Sequence, residues 1–221
     1  MKKVLITGFG PFQHIVVNPA LLLIEALGKS NNLPANIDLH RAILPVVYGQ
    51  AGEQIQTLIR EVQPDVLLSF GVASSREQIN LERIAINVQD APYPDNAGVL
   101  KQGDPIHPTG AGAYFSNLPL LELKSVIEAA GSPAVISNHA GAYICNEVFY
   151  AAAREIQALG LATRFGFVHL PEIAETAQGE LAHDFTLSKL VQTAEAMLIW
   201  LTAFHTRMCL DSRSFERSTH A

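Results

Sequence analysis

Lys3-Val4-Leu5-Ile6-Thr7-Gly8-Phe9 is an almost unbroken apolar run of strand length, and the stretch from Pro19 to Gly28 behind it carries Ala20, Leu23, Ile24 and Leu27 at helical spacing. A strand apolar at consecutive positions is buried on both faces, as in a parallel sheet covered by helices. Pro19 suits the first turn of the helix and Gly28 its end. The same pair of signals recurs at once. Asp38 to Val46 reads as a strand, Gln50 to Val62 as a helix, and Pro64-Asp65 leads into Val66-Leu67-Leu68-Ser69-Phe70, a third buried strand. Successive βα units predict an α/β fold with a parallel or mostly parallel sheet and helices on both faces.

Downstream, Ile79 to Val88 reads as one longer strand carrying Glu82 and Arg83. Gln89 to Ala113 is rich in Pro, Gly, Asp and Asn and is too long for a simple connection, which marks it as a functional or mobile loop. Leu118 to Ala130, Cys145 to Leu159 and Leu187 to Phe204 have helical period, while Ala134 to Ser137 and Ala162 to Leu170 read as strands. Residues 205–221 are polar and aperiodic, a C-terminal tail. No repeat or composition break divides the chain, so residues 1–221 are expected to form a single domain.

The chain has 221 residues, 48% of them hydrophobic and 16% charged, with a formal net charge of −6. That length suffices to bury roughly 70% of the unfolded surface. An acidic chain without a Lys/Arg cluster has no electrostatic footprint for nucleic acid or an anionic membrane. Its longest apolar stretch, near Ala196 to Phe204, falls well short of the about 18 residues of a spanning helix. The start reads as a strand rather than a signal peptide, because the apolar run ends at Gly8 without a cleavage site. Two cysteines, Cys145 and Cys209, make no disulfide framework and lack metal-ligand spacing, so a reducing, cytoplasmic location is expected.

Gly8-Phe9-Gly10-Pro11-Phe12-Gln13 is a poor match to a dinucleotide-binding turn, since Gln13 stands where the third glycine would fall and Pro11 removes an amide. Ser137-Asn138-His139-Ala140-Gly141-Ala142-Tyr143-Ile144-Cys145 is a different matter. It places a thiol after a strand and a Gly turn, in the first turn of a helix, where open amides and the helix dipole lower a thiol's pKa and can hold an oxyanion. Cys145 is thus either an activated nucleophile or a small buried hydrophobe. His169, at the carboxyl end of a strand, is either its base or a core histidine, with His139 as the other choice of base. Glu82, between Leu81 and Ile84, either orients that histidine or pairs with Arg83 or Arg76. The residues by themselves reach a candidate Cys-His-Glu hydrolase on an α/β sheet.

With these residues in hand, the sequence resembles the pyroglutamyl peptidase I (pyrrolidone-carboxylate peptidase) family of cysteine peptidases. The match runs in order from Met1 to about Trp200. It rests on Thr7-Gly8-Phe9 with Pro11-Phe12, Asn18-Pro19, Leu44-Pro45, Glu82-Arg83 with Ala85-Ile86-Asn87, Pro94-Asp95-Asn96, Ser137-Asn138, Tyr143, Cys145-Asn146, Tyr150 and His169-Leu170-Pro171. The resemblance implies an α/β/α sandwich around a mostly parallel, mixed twisted sheet, with no metal or cofactor, and a homotetramer. It also implies hydrolysis of the amide bond after an N-terminal pyroglutamate, through a thioester on Cys145 with His169 as base and Glu82 as orienting acid. Phe9, Phe12, Tyr143, Ile144 and Tyr93 would line the substrate site and Asn18 would give a polar contact. A lactam without an ammonium group fits apolar walls with few polar partners. The chain departs from the family at Gln13 and His14, where two glycines are common, at Val72-Ala73-Ser74-Ser75-Arg76, and at Pro92, where bacterial members carry an Arg suggested to assist the oxyanion. These departures motivate a second reading, a homologue that binds pyroglutamyl or related small peptides but turns over little.

Overall fold

In the computed structural model of the chain, residues 1–13, 15–176 and 185–218 are described, from 204 onward as backbone alone; His14 lies outside them. The order is β1 (Lys2–Phe9), α1 (Pro19–Leu27), β2 (Ile37–Leu44), α2 (Gln50–Val62), β3 (Val66–Val72), β4 (Ile79–Glu82), β5 (Ile84–Ile86), β6 (Gln89–Asp90), β7 (Gln102–Asp104), β8 (Ala113–Phe115), α3 (Leu120–Ala129), β9 (Ala134–Ser137), α4 (Ile144–Ala158), β10 (Arg164–Leu170) and α5 (Leu187–Ser218). Six strands form the central sheet in the order β2-β1-β3-β10-β4-β9. Neighbours pair in parallel except β10 with β4. It is the mostly parallel, mixed sheet expected.

Alternation along each strand divides the core in two. Val4 and Ile6 of β1, Leu68 and Phe70 of β3, Leu81 of β4 and Val168 of β10 pack with α1, α3 and α5. Leu5 and Phe9 of β1, Leu67 of β3, and Phe165 and Phe167 of β10 pack with α2 and α4. The same alternation turns Gly71, Asn80, Glu82 and His169 toward the α2/α4 face. Helix α1 starts as its sequence requires: Asn18 Oδ1 accepts from the Ala20 amide at 2.9 Å, Pro19 fills the first turn and Gly28 follows the last.

Three expectations change. The strand drawn from Ile79 to Val88 breaks at Arg83, whose amide donates to Ser137 O while its carbonyl accepts from Ser116 N. The chain thereby leaves the central sheet, and β5 pairs with β8 instead. The loop from 89 to 113 is not plain coil, because β6 pairs with β7 and Asn87 makes two bonds of 2.9 Å to the His107 backbone. Helix α5 continues to Ser218 where the sequence reading ends it at Phe204 and begins a tail; no Gly or Pro interrupts that stretch. No helix among the described residues is long and apolar enough to cross a membrane.

Candidate active site

His169 and Glu82 come together because β4 runs against β10. The register pairs Phe167 with Glu82 and His169 with Asn80, so the imidazole and the carboxylate are diagonal neighbours on one face. His169 Nδ1 lies 2.8 Å from Glu82 Oε1 and both side chains are buried. That bond fixes Nδ1 as the donor and leaves Nε2 free to face a third group. Arg76, from the β3–β4 connection, approaches the same oxygen at 3.4 Å, and its Nη1 donates to Asn80 Oδ1 at 2.6 Å. Arg83 is turned away to Asn138. Glu82 therefore has both of the partners weighed for it, the histidine and Arg76.

Cys145 stands in the first turn of α4, which begins without a side-chain cap, leaving amides of that turn open to a ligand. Its thiol lies over β3. A Cβ on Gly71, the register partner of His169, would come within 2.9 Å of Sγ. Cys145 and His169 line one cleft of about 420 Å³ together with Arg76, Asp90, Pro92 and Tyr93. His139 instead accepts from the Gly141 amide through its own Nδ1 and is not among the cleft residues.

The thiol does not behave as a helix start alone would make it. Burial pushes its pKa up to about 12, helped by the negative charge of Glu82 and opposed by its own backbone N–H and by Arg76. Desolvation thus outweighs the dipole at this thiol, against the lowering that a helix start alone predicts, and favours a neutral resting thiol.

On the other side of the thiol, Phe9, Phe12, Val46, Val72, Tyr143 and Ile144 enclose a small pocket with Asn18 and Cys145. Its free volume of about 10 Å³ is that of a single water. Asn18 is buried, and both halves of its amide already serve the fold, with Nδ2 donating to Gly10 O at 3.0 Å and Oδ1 capping α1. Tyr93 stands in the wider cleft and meets Tyr143 edge to face at 5.1 Å. Burial and the charge of Asp95 raise the Tyr143 phenol to about 12, and its hydroxyl donates to Pro94 O. Asp95 itself accepts from the amides of Tyr48, Ala97 and Val99, which ties the 89–113 segment to the end of β2. Gln13, one of the departures, has φ 50°, a left-handed conformation that glycine adopts without steric cost.

Two neighbours of Cys145 were not singled out for a role in the sequence. Buried Asn146 bonds Ile86 N, Ile86 O and Val88 O, and buried Glu147 accepts from Gly49 N, Gly52 N and Gln89 Nε2. Together they fasten the first turn of α4 to β5 and to the start of α2. Polar residues directly after a candidate nucleophile, in a helix that is otherwise apolar inward, were the available signal. No three His, Cys, Asp or Glu side chains gather as metal ligands among the described residues.

The family profile described as pyroglutamyl peptidase matches residues 2–199. The pyrrolidone-carboxylate peptidase of Vibrio vulnificus (strain YJ016) is 38% identical over 199 residues, covering 90% of this chain and 92% of the relative. That of Thermococcus onnurineus is 36% identical, with coverage of 89% and 96%. Among solved structures, Bacillus amyloliquefaciens pyroglutamyl peptidase I superposes with a TM-score of 0.84 at 32% identity, covering 93% of this chain and 98% of that one. The pyrrolidone carboxyl peptidase of Pyrococcus furiosus does so with 0.85 at 32% identity, covering 92% and 99%. With a profile spanning nearly the whole length and relatives above a third identical, the chain belongs to the pyroglutamyl peptidase family.

Proposed function

We propose that the chain is a cysteine exopeptidase that removes an N-terminal pyroglutamate from peptides, with Cys145 as nucleophile, His169 as base and Glu82 as the group that orients it. One observation carries the reading at this site: an apolar pocket without a carboxylate is lined by the thiol, which shares a cleft with His169, the ring that Glu82 holds from behind. Nε2 of His169 takes the thiol proton as sulfur attacks the pyroglutamyl carbonyl carbon. Glu82 stabilises the imidazolium that forms. The oxyanion is held by backbone amides at the start of α4, since Pro92 offers no cation. Collapse breaks the C–N bond, the imidazolium protonates the leaving amine, and a thioester remains on Cys145. Water, deprotonated by His169, then attacks the thioester and releases pyroglutamate and the thiol.

Phe9 and Phe12 flank the lactam ring, with Tyr143 and Ile144 completing the walls. At about 10 Å³ the pocket is smaller than the ring, so Phe12 and Tyr143 separate to admit it. Asn18 shapes this wall through the Gly10 carbonyl rather than by reaching the substrate. Tyr93 and Pro92 border the leaving peptide. A cytoplasmic homotetramer belongs to the same reading.

Release of one fluorophore from pyroglutamyl, prolyl and glutaminyl amides tests the assignment. The two charged amines meet no matching carboxylate in the pocket, and prolyl also lacks the ring carbonyl, so each should be disfavoured by about 10⁴-fold in kcat/KM. Prolyl cleavage within tenfold of pyroglutamyl cleavage replaces the reading with a broader iminopeptidase. Absence of turnover with retained binding of a pyroglutamyl peptide favours the low-turnover homologue, which Gln13 and Pro92 motivate.

A further inference from the structure

Glu82 is fully buried, and its Oε2 has no hydrogen-bond partner. Burying a carboxylate with an unpartnered oxygen is costly unless a cation stands by it. His169 is not that cation. To act as a base it must be neutral before the reaction, so in the resting state it offers Glu82 a dipole and no charge. The remaining cation within reach is the Arg76 guanidinium, 3.4 Å from Oε1 and held in place by Asn80, the register partner of His169. Asn80 is in turn fixed by donating to Gln78 O at 2.7 Å.

We propose that Arg76 is a positioning residue of the catalytic centre, which balances the buried carboxylate of Glu82 while His169 is neutral and competes with His169 for the same carboxylate oxygen. The inference rests on the Cys-His-Glu reading above. Among the described residues, other titratable groups around the pair are Cys145 and Tyr143 from the start of α4 and Asp90 and Tyr93 from the cleft wall; Arg83 is occupied with Asn138. Of these only Arg76 carries positive charge toward Glu82. While imidazole is neutral, Arg76 balances the carboxylate. Once the thiol proton has moved to Nε2, two cations share one oxygen. The imidazolium is then less tightly held and can return its proton to the leaving amine.

Removing the charge has one sign whichever group responds. If Glu82 stays ionised, His169 loses a repelling neighbour and holds its proton to higher pH. If Glu82 becomes neutral, activity returns only as it ionises. Both move the acid limb of the kcat/KM against pH profile upward, by about one unit or more for an opposite charge at this range. Arg76→Gln should therefore show that displacement with pyroglutamyl amide as substrate, and lose more in kcat than in KM. Arg76→Lys, which keeps charge without the planar fork, should hold its limb near that of the wild type. In the Glu82→Gln background, Arg76→Gln should displace the limb less than it does in the wild type, because only the direct repulsion of His169 remains to be removed. A limb unmoved in Arg76→Gln beside a uniform fall in rate, or a folded Arg76→Lys protein displaced by a full unit, overturns the proposal. Wild-type turnover, and its loss in Cys145→Ala, are measured first. Failure there refutes the triad itself and is thereby distinguished from failure of the Arg76 role.

Discussion

The sulfur of Cys145 rests on Gly71: a Cβ at position 71 would stand 2.9 Å from Sγ and 3.0 Å from Cζ of Phe167. Real Cβ atoms do not approach that closely, so Gly71→Ala has to displace the thiol or the ring. A nucleophile misplaced by about 1 Å costs roughly 10²-fold in rate. The variant should fold, with a modest fall in Tm, and lose most of its kcat on a pyroglutamyl amide. Wild-type kcat in Gly71→Ala would mean that the thiol's position over β3 is not what sets the rate.

A thiol pushed up to about 12 by burial carries little thiolate at neutral pH. Alkylation of Cys145 by iodoacetamide in the free enzyme should therefore keep accelerating as pH rises from about 7 to about 10, because the reactive fraction grows with each step. The site of modification is read by peptide mapping. A rate already level below pH 7 would show a preformed thiolate and contradict the neutral resting state.

His169→Ala removes the proton acceptor, while Glu82→Gln leaves an amide that can still meet Nδ1–H and hold the ring. The first should cost more in kcat than the second, with the general base alone contributing about 10²- to 10⁴-fold. Steady-state kinetics on both variants decides the order. An active His169→Ala protein would refute the assignment of the base.

Glu147 tests the scaffold rather than the chemistry. Burial raises its pKa, partly offset by the amides of Gly49 and Gly52 and by Gln89. The folded state thus holds that proton more tightly than the unfolded chain. This contribution to stability is fully present below the unfolded carboxyl value of about 4.3 and is lost as pH rises through the higher folded value. Gln at 147 has no such loss, so the Tm of Glu147→Gln relative to wild type should improve as pH rises above the unfolded carboxyl value. Glu147→Ala, which strands two backbone donors, should cost about 2 kcal/mol or more. A Tm difference for Glu147→Gln that worsens with rising pH sinks this account.

Lys3 to Phe9 and Val66 to Phe70 were legible as strands because burial on both faces leaves an unbroken apolar run, and Pro19 with Gly28 bracketed α1 by backbone chemistry alone. The reversal of β4 was not legible. Nothing in Ile79-Asn80-Leu81-Glu82 encodes direction, which follows from the short connection 73–78 after β3, too short for the crossover that a parallel strand needs. Cys145, His169 and Glu82 were each visible with an ordinary alternative beside it, because sequence neighbourhood does not reveal a contact between residues 87 apart. Asn80 and Gly71 stayed hidden for the same reason: one acts by holding Arg76, the other by having no side chain. The thiol's pKa was read with the wrong sign because the sequence displays the helix start but not the burial around it.

The pairing of β4 with β10 also constrains heredity. Side chains alternate along a strand, so one residue inserted or deleted between Ile79 and Glu82 would turn the carboxylate into the apolar layer beneath α1, α3 and α5. Two residues would restore the face but carry the carboxylate about 7 Å along the strand, out of reach of the imidazole. Length variation of either size is thus closed to this segment. In a lineage descended from this sequence, the residues of β4 ahead of Glu82 can change in kind but not in number while the histidine keeps its partner.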